Sequence, residues 1–580
     1  MTMRLPAVLL LLLALAAPGK AAAQSVGETD VVIVSSRANQ VIHEQAWRDY
    51  RKGIRVWSDI CTRAGLKFRI AGDYELETEP GKASVYVLHH LEHLTPGQAA
   101  RIEQLRAQGT GLILVGRTGS VDNEGKSLVD GEGKPIASLA ERWFELSDFR
   151  DFLPEQGAYF VSRAGHPFSL GNDPGFRFEF DTAWPGEAAT TPHAVAYGVN
   201  WDLQPAPDPD RAKNGVVAVR EMEAARLAWM GVGPDALLEE ERLKEAIESS
   251  TAQLLRWVAR RPVVGICHWR GCQQSAAIVT ADVEDKFETG EAIALTCRKE
   301  GVRGSFFLVG MLAPEFPEVV AALAQNGEIG THSIKHQSFE GSSYEEQLAE
   351  LTEARTNLQR LGVSDVLGFR PPMERYDEST VRSVAAAGLG FIFGNLQYDR
   401  AYPVEVHVNG TDVWQFARIV ADDYNIVVER GVSDVMKFRE EYMKEFDRMH
   451  EMGGLFPFAF HTNYLALEES IDAMRTMIKA LKQDSVWLTT FGEVVRWVQA
   501  RQQLQVSAVQ EASTTLVTVT NAGKEDLKEV PVHLFPAVTT RELKPVATPE
   551  RGLTIRPAER GGFVLLVDLP AGQTRVIKVQ

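Results

Sequence analysis

From Asp30 to about Pro262, short apolar runs alternate with amphipathic stretches. DVVIVS (30–35), SVYVL (84–88) and GLILVG (111–116) read as buried strands. Trp47–Ala64 reads as a helix with an apolar stripe, and Pro96–Gln108 as a helix opened by Thr95 and closed before Gly109. Such alternation predicts a parallel sheet covered on both faces. Pro262–Ser275, punctuated by Pro262, Gly265 and Gly271, reads as a connector. Between about 276 and 500, further apolar runs recur. They are AIVTADVED (277–285), SFFLVG (305–310), EIGTH (328–332), VLGFR (366–370), GFIFG (390–394), LFPFAFH (455–461) and VWLTT (486–490). Helical patterns such as Tyr344–Leu361 and Val435–Met452 separate several of them. From Arg501 the helical pattern stops. LVTVTNAG, VPVHLFPAV, GLTIRP, GFVLLVDLPAG and RVIKVQ are bounded by Gly, Pro or Asn, which suits a small antiparallel sandwich.

Composition adds little, and charge somewhat more. At 580 residues the chain needs several cores, and 44% hydrophobic with 24% charged residues is ordinary for a globular protein. Arg4, the apolar run Leu9–Ala17 and Ala21-Ala22-Ala23 before Gln24 match a secretory leader over residues 1–23. The mature chain is therefore expected to be exported, periplasmic or secreted. No later apolar run reaches the roughly 20 residues that span a bilayer. Loss of Arg4 and Lys20 with the leader takes the formal charge from −17 to −19. That acidity argues against nucleic acid and anionic membrane as partners. In an oxidising compartment, Cys267 and Cys272 of GICHWRGC read as a disulfide or two free thiols rather than a zinc site with His268, because no fourth ligand is near in sequence.

The chemistry concentrates after residue 276. AIVTADVED ends in Asp282, Glu284 and Asp285, like charges that need a cation or an arginine to coexist. His332 and His336 (THSIKH), Arg370 (GFRPP) and His461 (FAFHTNY) follow, each at or just past a strand end, where an α/β barrel builds its site. Singly, each has a plainer reading: a surface pair one helical turn apart, a loop brace, a core histidine, a solvated acidic loop. Jointly, their placement favours a site. Trp414 and Trp487 read as core residues. His89, His90 and His93 lack a preceding acidic strand end and read as loop or packing residues.

ADVED, THSIKH, FRPP and FAFHTN resemble the motifs of polysaccharide deacetylases with the NodB homology domain (carbohydrate esterase family 4), over about residues 276–500. The resemblance implies a distorted (β/α)7 barrel and removal of N-acetyl groups with a divalent metal ion, Zn2+ or a similar ion. It implies His332 and His336 as metal ligands, Asp282 as catalytic base paired with Arg370, and His461 as general acid. The carboxylate ligand is Glu284 by a D-x-D register or Asp285 through a bulge. Asp399, past GFIFG, is the candidate to orient the acid. Met373 stands where an aromatic residue is common. The stretch from SVYVLHHLEH to RLAWMGVG resembles a glutamine-amidotransferase-like, or beta-galactosidase-trimerisation-like, flavodoxin-type domain. Cys61 is the sole cysteine before Pro262 and lies in a helical pattern, so that domain reads as non-catalytic, a polymer-binding or homo-oligomer-forming module.

The expected fold class is thus α/β multidomain, with a flavodoxin-like domain (24–262), a linker (263–275), a deacetylase barrel (276–500) and a β-sandwich (501–580). The expected substrate is an N-acetylated polysaccharide. Two rival readings are a metal-independent C–N hydrolase of the same superfamily and a non-catalytic polysaccharide-binding or secretion scaffold.

Overall fold

Val31–Ser35, Val85–His89 and Gly111–Val115 are apolar and buried at nearly every position, as strands covered on both faces must be. Alternate side chains serve two cores. Val31, Ile33, Val85 and Val87 join Tyr50, Trp57, Leu254 and Leu255 in one, whereas Val32, Val34, Tyr86 and Leu88 join Ile102 and Leu105 in the other. These features come from a computed structural model that describes residues 29–45, 49–78, 82–122, 124–151, 159–180, 186–236, 240–394, 399–465, 467, 470–537 and 551–579. The expected leader lies outside the described residues.

In spatial order the first sheet runs Phe68–Gly72, Val31–Ser35, Val85–His89, Gly111–Val115 and Ala225–Met230, all parallel. It continues antiparallel through Gly215–Met222 and Ala194–Val199. Helix Pro96–Ala107 starts at Thr95, whose hydroxyl accepts the Gln98 N–H in a capping box. Helix Tyr50–Arg63 starts at Asp49, which accepts from Lys52. Cys61 on this helix is wholly buried, and burial pushes its thiol up to about 12, which leaves it a poor nucleophile.

The second sheet is organised around Ser275–Val283, buried at every position. One edge of that strand pairs with Leu455–His461, and the other with Val486–Thr489 and then Gly304–Leu308, all parallel. Gly327–Thr331, Val366–Phe369, Phe391–Gly394 and Thr411–Ala417 continue the parallel run, and Val404–Val408 adds an antiparallel edge. Among the described residues no pairing joins that edge to Leu455–His461, so the sheet is open where a closed seven-stranded barrel was expected. The physical reason is the 404–417 hairpin, whose outer strand occupies the edge that closure would use.

Glu328 ties this sheet to the helix Phe491–Gln502. Its buried carboxylate accepts from Ser305 Oγ at 2.7 Å and from Gly492 N at 3.0 Å, at the positive end of the helix. Glu328→Ala leaves those donors unsatisfied. It is expected to cost about 1–3 kcal/mol in denaturant unfolding.

Val263–Ile266, expected as connector, is instead a strand antiparallel to Leu527–Phe535 in a four-stranded sheet. Its apolar VVGI pattern finds an open sheet edge in the carboxyl-terminal region. A three-stranded sheet (Leu504–Glu511, Thr514–Asn521, Thr574–Val579) shares a core with it through Val517, Ile577, Val532 and Leu565. Cys267 and Cys272 form a disulfide. No described helix is long and apolar enough to cross a membrane.

Candidate metal and hydrolytic site

The carboxyl ends of the 455–461, 275–283, 327–331 and 366–369 strands converge, with the 304–308 strand lying between the second and third. Asp282 and Glu284 share one side of the 275–283 strand and its extension, because side chains two apart point the same way. Thr462, next after the 455–461 strand, holds this end in place: its hydroxyl accepts the Glu284 N–H at 3.1 Å and donates to the Asp285 carbonyl at 2.8 Å. The Asp285 side chain is exposed to solvent.

His332 follows the 327–331 strand and is buried. Its Nδ1–H donates to the Arg370 carbonyl at 2.7 Å, which leaves the Nε2 lone pair facing Glu284. His336 is not one helical turn further on. Ser333 (φ 68°) and His336 (φ 55°) take left-handed conformations, and the His336 N–H donates to Ser333 Oγ, folding the loop back. Glu284 Oε2 thus lies 2.7 Å from His336 Nε2 and 3.6 Å from His332 Nε2. Burial would raise the Glu284 carboxyl, but the two imidazoles facing it more than offset that and hold it well below the usual range. The hydrogen bond to Glu284 raises His336 in turn.

Ligand atoms of Glu284, His332 and His336 lie within 4.8 Å of one another. Two imidazoles and one carboxylate, with one imidazole fixed by a carbonyl behind it, fit zinc or a similar divalent ion with a position left open. Asp285, the alternative carboxylate, is outside this group.

Beside the trio sits Asp282, 4% exposed, whose Oδ2 accepts from Arg370 Nε at 2.5 Å. Burial would lower the Arg370 guanidinium, yet the charges of Asp282 and Glu374 raise it. Glu374 lies 3.1 Å from Arg370 Nη1 and also receives Arg418, so Arg370 cannot swing away from Asp282. The Phe393 ring, 4.5 Å from the guanidinium, closes the other side.

His461 Nε2 lies 3.4 Å from Asp282 Oδ2. Its Nδ1 lies 2.6 Å from Asp423 Oδ1, and its backbone N–H donates to Asp423 Oδ2 at 2.8 Å. Burial would depress this imidazole, but the Asp423, Asp282 and Asp422 charges push it up to about 10.

Asp399, the expected orienting aspartate, is elsewhere. Its carboxylate is taken by Arg400 and Arg242, and no interaction links it to His461. Asp423 occupies that position, six residues past the 411–417 strand. Sequence reading also missed Glu374 and Arg418. The adjacent Asp422-Asp423 was the available signal for Asp423, but the Thr411–Ala417 strand before it was not read as one. Trp414 is 2% exposed in the core, and Trp487 packs partly buried against it.

Residues 276–392 match the family model of polysaccharide deacetylases. That segment carries Asp282, Glu284, His332, His336 and Arg370, whereas Asp423 and His461 lie beyond it. A comparison with curated proteins returns no match. Among solved structures, Agd3, described as a carbohydrate deacetylase, aligns over 95% of this chain and 99% of its own, at 10% identity and a TM-score of 0.42. A protein from Mycobacterium smegmatis described as a polysaccharide deacetylase covers 40% of this chain and 93% of its own, at 20% identity and a TM-score of 0.37. Puue allantoinase covers 40% and 91%, at 17% identity and a TM-score of 0.36. Likenesses at these TM-scores assign no activity to the chain.

Proposed function

We propose that this chain is an exported, divalent-metal-dependent hydrolase that removes N-acetyl groups from amino sugars of an extracellular or cell-wall polysaccharide. The observation that carries the reading is a carboxylate and an imidazole that face each other, each fixed by a charged partner of its own. Asp282, paired with Arg370, and His461, paired with Asp423, face each other across 3.4 Å beside Glu284, His332 and His336.

Glu284, His332 and His336 hold the ion. When bound, such an ion supplies Lewis-acid polarisation of a carbonyl and acidification of water. Asp282 accepts a proton from the attacking water, and Arg370 keeps the carboxylate aimed at it. His461 carries its proton at Nε2, donates it to the departing amine, and has its ring orientation fixed by Asp423 through Nδ1. Tyr464 packs against His461 at 5.8 Å between ring centres, and the exposed Tyr424 lies 6.1 Å from Tyr464. This pair offers a sugar a stacking face next to the acid.

The deciding experiment is acetate release from N-acetylglucosamine oligomers, with and without chelation. Release that disappears on chelation and returns with Zn2+ supports the reading. A second reading, a metal-independent C–N hydrolase, draws on the direct His336–Glu284 contact at 2.7 Å, which satisfies both groups without an ion. Activity that survives exhaustive chelation would favour it.

A further inference from the structure

A second cluster of histidines and carboxylates lies at the carboxyl ends of the first sheet. His89 ends the 85–89 strand, His90 and Glu92 follow it, His43 comes from the helix Arg37–Gln45, and Asp235 follows the 225–230 strand. The strand Val31–Ser35 pairs with Phe68–Gly72 on one edge and Val85–His89 on the other, so the chain reverses its direction of sheet growth at this place. Open α/β sheets bind ligands in such a crevice.

The polar groups here are not settled by one another. Both ring nitrogens of His89 and both oxygens of Asp235 are buried with no hydrogen-bond partner, in residues 0% and 1% exposed. Their nearest approach, His89 Nε2 to Asp235 Oδ2, is 3.8 Å. That is too long for a hydrogen bond. It is close to the roughly 3.4 Å between two ligands of one tetrahedral ion with bonds of about 2.1 Å. Orphaned buried groups of this kind cost free energy unless something absent from the protein chain completes them.

We propose that the amino-terminal domain holds a second divalent ion, zinc or a chemically similar one, bound by His89, His90 and Asp235. Ligand atoms of these residues lie within 4.8 Å of one another. The Glu92 carboxylate lies 3.0 Å from His90 Nδ1 and 2.8 Å from His43 Nε2. It thereby fixes the His90 tautomer and leaves Nε2 for the ion, the carboxylate–histidine–metal arrangement of protein zinc sites. His43, His90 and Glu92 form an alternative trio, but there Glu92 already engages both imidazoles, whereas His89 and Asp235 have no hydrogen-bond partner, so the ion belongs with His89 and Asp235. Glycines keep the crevice clear. A Cβ at Gly233 would stand 2.4 Å from Asp235 Oδ1, one at Gly53 1.9 Å from His89 Nε2, and one at Gly116 2.9 Å from His90 Nδ1.

The test is zinc stoichiometry of the full chain by mass spectrometry of the eluted metal, together with the visible spectrum of the cobalt-loaded protein. The double variant Glu284→Gln/His336→Ala is expected to retain one ion and the intense d–d bands of a low-coordinate cobalt site. Asp235→Asn or His89→Gln in that background should remove both the ion and the bands. Wild type should hold two ions, or one if only the amino-terminal site is real, in which case the hydrolase reading fails and this inference stands. A folded Glu284→Gln/His336→Ala protein that takes up neither zinc nor cobalt overturns the inference, whatever the amino-terminal variants do.

Discussion

Asp282→Asn should lower acetate release by about 10²–10⁴-fold while leaving the metal content unchanged, the range expected for loss of a positioned general base. Asparagine keeps the shape of the side chain but cannot accept the proton. The Glu284, His332 and His336 trio is untouched, because its members make their contacts without Asp282. Arg370 keeps Glu374 at 3.1 Å, so the wall of the site stays in place. The loss should fall on kcat rather than KM, since the missing group acts in the reaction and not in holding the polymer. A variant that keeps a rate within a few-fold of wild type removes Asp282 from the chemistry.

Asp423→Asn should move the alkaline limb of the kcat/KM profile from near pH 10 toward the ordinary imidazole value of about 6.5, with a rate loss of about 10²-fold or more at pH 9. Removing the buried Asp423 charge takes away the largest influence that keeps His461 protonated against burial. The same linkage acts on stability. The folded-state pKa of His461 is raised, so its contribution is fully present below the unfolded value and is lost as pH rises through the folded one, between about 6.5 and about 10. Wild type should therefore lose Tm across that window more steeply than Asp423→Asn. Asp399→Asn is the matched control. It should leave the profile in place, because the Asp399 carboxylate is engaged by Arg400 and Arg242.

Much of this site was legible because its members sit where buried strands stop. Asp282, His332, Arg370 and His461 each end an apolar run, and a parallel sheet brings such ends together without further information. Glu284 over Asp285 follows from the two-residue period of an extended chain. Asp423 was hidden because its strand, Thr411–Ala417, is the inner half of an edge hairpin that opens on the exposed polar pair Thr411 and Asp412 and is broken again by Gln415. A search for unbroken apolar runs passes over such a strand. The same hairpin explains the open sheet. Val263–Ile266 was read as connector because a four-residue run beside Pro262 and Gly265 carries turn signals, and its partner lies some 260 residues later, at Leu527–Phe535. The amino-terminal cluster was the least legible part. His43, His89, His90 and Asp235 belong to three separate segments, and the spatial order of the 31–35, 85–89, 111–115 and 225–230 strands brings them together.

The most direct measurement is a zinc titration of chelated, metal-free protein followed by acetate release from N-acetylglucosamine oligomers. A metal-dependent deacetylase centre predicts that activity rises in step with filling of the Glu284–His332–His336 site and that Glu284→Gln abolishes the rise. Full activity before any zinc is added, or no acetate at full occupancy, would contradict it.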